Sequence, residues 1–246
     1  MMNRVRQLAF SGGVLVLVLA VLWPGMPSAA GARQATPAAT ASCGDAAPAA
    51  SPATSMGGMA GMDMGTPMVG IAIEFDQLYI DMMIPHHAAI MATAQAALER
   101  LVDPRLMEIA GAIVAAQGPE IKELRGYRQQ WYGSADPMPM DAPMMTMLGE
   151  LMPGMGSTPN DMMTQMDPGA QVAAFCAGED PELTFIDLTI PHHESAIEIS
   201  TLALTRAIHP ELKEVAQRVI DAQQREVAQL RLIRSDLIGA ASPPAG

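Results

Sequence analysis

The chain is poor in the residues that announce most functions. Two cysteines in 246 residues, Cys43 and Cys176, are too few for a disulfide scaffold, and neither belongs to a CxxC pair. In an oxidising compartment the two could pair, which would tie the N-terminal arm to the approach of the second half. Basic residues are scarce too, 14 Lys and Arg against 26 Asp and Glu. That balance argues against nucleic acid and anionic lipid as partners and suits the attraction of cations. Long apolar runs are limited to one, Val14 to Trp23, preceded by Arg4 and Arg6 and followed by Pro27-Ser28-Ala29-Ala30. This pattern reads as a secretory signal over residues 1–30 cleaved near Ala30, with an uncleaved anchor as the alternative. Export to the periplasm, cell envelope or extracellular space is therefore expected.

Enzyme signatures are also missing. No Glu-x-x-His precedes a histidine, as a di-iron bundle would require. His193-Glu194 lacks the second histidine of a zinc-protease helix, and no phosphate-cradling glycine loop or nucleophile elbow occurs. A non-enzymatic role is the expectation.

What the chain does have is an internal duplication. Ile84-Pro85-His86-His87 recurs as Ile190-Pro191-His192-His193, and the same spacing carries Asp81 onto Asp187, Leu106 onto Leu212 and Ala110 onto Ala216. It also carries Gln117 onto Gln223, Glu120 onto Glu226 and Arg125 onto Arg231. A register held this long marks a duplicated structural unit. Four of the five histidines lie in the two pairs, and the fifth, His209 before Pro210, reads as a cap or surface residue.

Composition divides the rest. Residues 31–69 hold Ala, Pro, Thr, Ser, Gly and Met with almost no large apolar side chains, and are expected to be disordered. The repeats span 70–133 and 176–239. A Met/Pro/Gly-rich linker occupies 134–175, with a short helix expected after Ser157-Thr158-Pro159, and residues 240–246 form a tail. Within repeat one, Ile80, Ile84, His87, Met91, Ala94, Leu98 and Leu101 follow helical steps of three and four. Asp103-Pro104 supplies a cap and a first-turn proline for a second helix, whose stripe is Leu106, Ala110, Ile113, Gln117, Glu120 or Ile121, and Leu124. Repeat two reads the same way. Two hairpins that bury each other's stripes make an all-α four-helix bundle. Pro85 and Pro191 predict a kink or break before each histidine pair, and Gly118-Pro119 an interruption of the second helix.

In a hairpin turning near Val102, His87 and Gln117 are equidistant from the turn and so share a level, with Glu120 one turn beyond. His193, Gln223 and Glu226 repeat this around Ile208. Each hairpin thus inserts two imidazoles, a carboxamide and a carboxylate into an apolar core, which is costly unless they are paired. Metal binding explains such a layer. His86, His87, His192 and His193 are the expected ligands, with Gln117, Glu120, Gln223 and Glu226 as supporting or auxiliary groups. Met83 and Met91, four residues either side of His87, add soft donors that favour Cu(I); repeat two has Thr189 and Ile197 there. Copper is the expected metal, with silver or zinc compatible. The competing reading is a metal-free structural or interaction module whose histidines and acids bond one another; a metalloenzyme ranks third. Self-association is left open.

Methionine is the second signal, 22 in all. Five of them, Met56, Met59, Met62, Met64 and Met68, lie in the first low-complexity segment, and ten more fall between Met138 and Met166. Methionine usually fills core gaps, but Pro/Gly-rich segments are expected to have no core to fill, so soft-metal capture arms are expected.

Phe75-Asp76 through Asp81 and His86-His87 to Ile90, with Gln117 and Glu120 downstream, resemble the domain of unknown function 305 family. Phe185 through Asp187 and His193 to Ile197, with Gln223 and Glu226, resemble a second copy. The resemblance implies an exported ferritin-like helical bundle, with a link to copper handling in some relatives. At Thr189 and Ile197 the second copy departs from the methionines of the first.

Overall fold

The computed structural model describes residues 42–44, 74–141, 144, 145, 148 and 159–241. The signal region 1–30, the methionines from Met56 to Met68 and the last five residues lie outside the described part. Six helices are present among the described residues: α1 Phe75–Leu98, α2 Pro104–Tyr132, α3 Pro159–Gln165, α4 Pro168–Ala177, α5 Pro181–Arg206 and α6 Pro210–Ala241. No strand occurs among the described residues, and no described helix is long and apolar enough to cross a membrane. The four long helices form two hairpins, α1–α2 and α5–α6, which pack as the expected four-helix bundle.

Helix starts are written in Asp-Pro. Asp103, Asp167 and Asp180 each accept backbone N–H groups of the following turn, and each is followed by a proline whose missing N–H costs nothing there. α2 ends at Gly133, whose φ of +78° is the left-handed conformation that favours glycine. Between α4 and α5, a Cβ on Gly178 would meet Thr184 Oγ1 at 2.1 Å, so only glycine allows this close turn.

The duplication becomes a pseudo-two-fold packing. The Asp76 carboxylate at the start of α1 accepts N–H groups from Ile208 (3.0 Å) and His209 (2.9 Å) in the turn of the second hairpin. Its register mate Glu182, at the start of α5, accepts the N–H of Val102 (2.8 Å) in the turn of the first. Each hairpin therefore clasps the other's turn with an equivalent acid. His209 adds Nδ1 to Asp76 Oδ2 at 2.7 Å and stacks on Trp131 with ring centroids 3.8 Å apart. It is a structural anchor at the start of α6.

Two expectations change. Neither Pro85 nor Pro191 breaks its helix, and α2 runs through Gly118-Pro119. A proline removes one backbone bond, and the packed flanks hold the helix on both sides. The linker is more structured than a flexible arm, because it carries α4 as well as the expected helix at Pro159. Its methionines do find a core: Met144, Met145, Met162 and Met166 are buried with Leu148 against Leu78, Met82 and Leu124. As a result α1 is covered on nearly every side, by α2, α5 and the linker. Finally, Cys43 and Cys176 form a disulfide with Cα atoms 5.4 Å apart, fixing the segment before the first methionine cluster to the end of α4.

Candidate metal centre

The two histidine pairs meet at the middle of the bundle. His86 and His192, the equivalent first members, face each other with ring centroids 3.7 Å apart, close to the pseudo-two-fold relation. His87 lies 6.5 Å from His86, and His193 lies 6.3 Å from His192. All four are essentially buried, at 3% exposure or less. The pairs form one cluster, not two separate sites.

Each second histidine is held by the carboxylate of its own repeat. His87 Nε2 donates to Glu120 Oε2 at 3.0 Å, and His193 Nε2 donates to Glu226 Oε2 at 2.7 Å. The level argument matched His87 with Gln117, one turn nearer the hairpin bend. Side chains on a helix lean toward its N-terminus, so in an antiparallel hairpin His87 leans away from the bend and Glu120 leans back toward it. They meet between their Cα levels. Gln117 and Gln223 are buried beside this pair, at 3% exposure each, with their side-chain oxygens unpartnered.

The first histidines use partners that the repeat alone does not reveal. His192 Nε2 donates to the backbone carbonyl of Gln165 in α3 at 3.1 Å. His86 Nε2 lies 2.9 Å from Ser195 Oγ. That hydroxyl lies 2.7 Å from Gln165 Oε1 and 2.8 Å from the His192 carbonyl, both acceptors, so its proton is directed there and it accepts from His86.

The protonation pattern follows from these partners. Every Nε2 donates to an oxygen, so in the neutral ring every Nδ1 carries a bare lone pair. All four Nδ1 atoms, of His86, His87, His192 and His193, are buried and without a hydrogen-bond partner. Burial, with the neighbouring imidazoles of His87 and His193 adding to it, pushes His86 down to about 3. Burial, then His86 and His193, likewise holds His192 well below the usual imidazole range. These two rings are neutral at physiological pH.

Leaving a buried acceptor unmet costs about 1–3 kcal/mol. Four such nitrogens and the two glutamine oxygens lie in this one layer, joined by the buried, unpartnered hydroxyl of Thr189, which replaces Met83 in repeat two. The donor set suits a transition metal: neutral imidazoles whose far nitrogens are oriented by carboxylate, carbonyl or hydroxyl. Among the described residues, no group of three or more His, Cys, Asp or Glu is already disposed to hold a metal ion.

Of the expected soft donors, Met83 is fully buried in α1 one turn before His87. Met91 is half-buried, and its methyl lies 3.5 Å from the space a Cβ on Gly118 would occupy. Ser195, Gln165 and Thr189 were not expected. Ser195 and Thr189 are legible only as polar intrusions at apolar-stripe registers; Gln165 comes from the linker and leaves no local signal.

The family profile described as domain of unknown function (DUF305) matches residues 28–110 and 76–234. Among solved structures, CopM in the Cu(II)-bound form aligns at 25% identity over 66% of this chain and 97% of its own, with a TM-score of 0.51. CopM in the Ag-bound form, obtained by soaking, aligns at 25% identity over 65% and 96%, with a TM-score of 0.50. A DUF305 fragment from Deinococcus radiodurans shares the fold at 21% identity over 65% and 95%, with a TM-score of 0.50. No curated protein matches the chain.

Proposed function

Because the chain belongs to the DUF305 family, we propose that it is an exported protein that binds copper and buffers, sequesters or delivers it in the cell envelope. The observation that carries this reading is the set of four buried Nδ1 lone pairs in one cluster. The likeness to CopM, a protein solved with Cu(II) and with Ag, supports the choice of metal. His86, His87, His192 and His193 are the ligands in this reading, and Glu120 and Glu226 hold the outer nitrogens of His87 and His193. Gln117 and Gln223 supply auxiliary oxygens. Met83 and Met91 soften the first-repeat side of the cluster toward Cu(I), and silver follows the same preference. Ligation uses a subset of the rings or a small rotation of them, since three acidic or histidine donors are not yet convergent. The methionines from Met56 to Met68 act as lower-affinity capture arms. Export is supported by the signal-like N-terminus and by the Cys43–Cys176 disulfide, a bond characteristic of oxidising compartments.

The metal-free module predicts that the polar layer closes on itself. The acid–histidine bonds fit that reading, but the four buried, unpartnered Nδ1 nitrogens do not. Elemental analysis of the exported protein, followed by anaerobic Cu(I) titration, separates the two. Tight copper lost in His86→Gln/His192→Gln, with helicity retained, supports the copper reading. Equal copper in that variant and the parent, or no tight copper in either, overturns it.

A further inference from the structure

A cavity of different chemistry is linked to the histidine cluster through neighbouring residues of the chain. It has a volume of about 730 Å³ and is lined by Met138, Met140, Met163 and Met166, with Pro85 and Asp167 also in its wall. Pro85 immediately precedes His86. α3, which supplies Met163 and is followed directly by Met166, also supplies Gln165, whose carbonyl and side chain hold His192 and Ser195. The cavity is thus linked to the imidazoles through Pro85 and through Gln165.

Three of the four differ from the linker's core fillers. Met166 is buried in the apolar cluster with Met144, Met145 and Met162, whereas Met163 is 40% exposed and Met138 and Met140 are half-buried against that cluster. The Met138 sulfur also accepts a long contact from Gln77 Nε2 at 3.9 Å. Thioether sulfur has no proton to lose, so such a site stays competent at any physiological pH and prefers soft monovalent ions.

We propose that this cavity is a second metal site, a thioether pocket for Cu(I) or Ag(I) formed by Met138, Met140, Met163 and Met166. Its biological purpose rests on the soft-metal reading above, but binding in it does not depend on the histidines. It stands one residue from His86 in sequence and shares α3 with the cluster, so it is placed to load or unload the imidazoles.

The test uses the full chain labelled with 13C at methionine methyls, titrated anaerobically with Ag(I). The methyl signals of Met138, Met140, Met163 and Met166 are expected to shift together, and to do so equally in His86→Gln/His192→Gln. The variant with all four changed to Leu should lose these shifts and weaken silver binding by an order of magnitude at one class of site. Should that variant lose helicity, Met163→Leu alone, at the most exposed of the four, should still weaken the shifts of the other three. Movement confined to other methionines, or unchanged silver binding in the folded Leu variants, would overturn the pocket. Equal copper binding in His86→Gln/His192→Gln and the parent, with the methyl shifts intact, would overturn only the earlier reading.

Discussion

The two repeats differ most where their sequences agree. Asp81 pairs with Arg128 in repeat one, and Asp187 pairs with Arg234 at the same positions in repeat two. The first pair is buried, with side chains 5% and 0% exposed; the second stands in solvent at 43% and 52%. The cause is the linker. It continues from α2, accepts an Arg128 N–H on the carbonyl of Ser134 at 2.8 Å, and packs its methionines over α1. Among the described residues, nothing equivalent covers Asp187 and Arg234. The same two residues thus form a core clasp in one copy and a surface contact in the other, so sequence identity across a duplication does not transfer burial.

Breaking the clasp should give the largest effect. Arg128→Ala leaves the Asp81 carboxylate buried, where desolvation already raises its pKa against the pull of Arg128. A loss of about 3–5 kcal/mol in urea unfolding is expected. Arg234→Ala, the matched change, should leave the urea midpoint nearly unmoved, because water screens an exposed pair. Equal losses would contradict the asymmetry.

The next effect comes from the disulfide, which closes a chain separation of 133 residues onto the linker side of the bundle. Cys176→Ser should destabilise by about 2–4 kcal/mol, read as a lowered Tm under non-reducing conditions. Addition of reductant should lower the parent's Tm to match and leave the variant unmoved.

The histidine layer sharpens the comparison through pH. Folded His86 titrates near 3 against an ordinary 6.5, so between these values the unfolded chain binds the additional proton. Stability of the metal-free protein should therefore fall as pH drops below about 6.5, by up to about 1.4 kcal/mol per pH unit for this group. His86→Gln should flatten that slope, whereas a slope unchanged by the substitution would mean that the ring is accessible to protons in the folded state.

The smallest effect is local. Ser195 has Ala89 as its mate, and its hydroxyl bridges His86 to Gln165 in α3. Ser195→Ala should cost about 1–3 kcal/mol by leaving the His86 Nε2–H unmet, measured by urea unfolding at neutral pH. A cost near zero would show that His86 finds another acceptor.

Much of this architecture is legible in the residues. The repeat spacing, the Asp-Pro starts and the three-four stripes lead to two hairpins, and the matched His and Glu positions lead to the acid–histidine bonds. Side-chain lean decides between Gln117 and Glu120, and that needs helix direction as well as level. Ser195, Gln165 and the cover over Asp81 depend on where the linker folds. Its Pro/Gly/Met composition resembles an unstructured arm, because methionine signals neither core nor solvent by itself. The prolines mislead for a related reason: their local penalty is small beside the packing of α1 and α5.

The central claim is that the four Nδ1 nitrogens receive a soft metal. Histidine side-chain 15N NMR, before and after anaerobic addition of Cu(I), tests it most directly. The metal-free protein should show Nε2–H tautomers at His86, His87, His192 and His193, and Nδ1 resonances within this set should shift on metallation while the Nε2–H protons persist. Cu(I) taken up tightly with all four Nδ1 resonances unmoved would contradict the account.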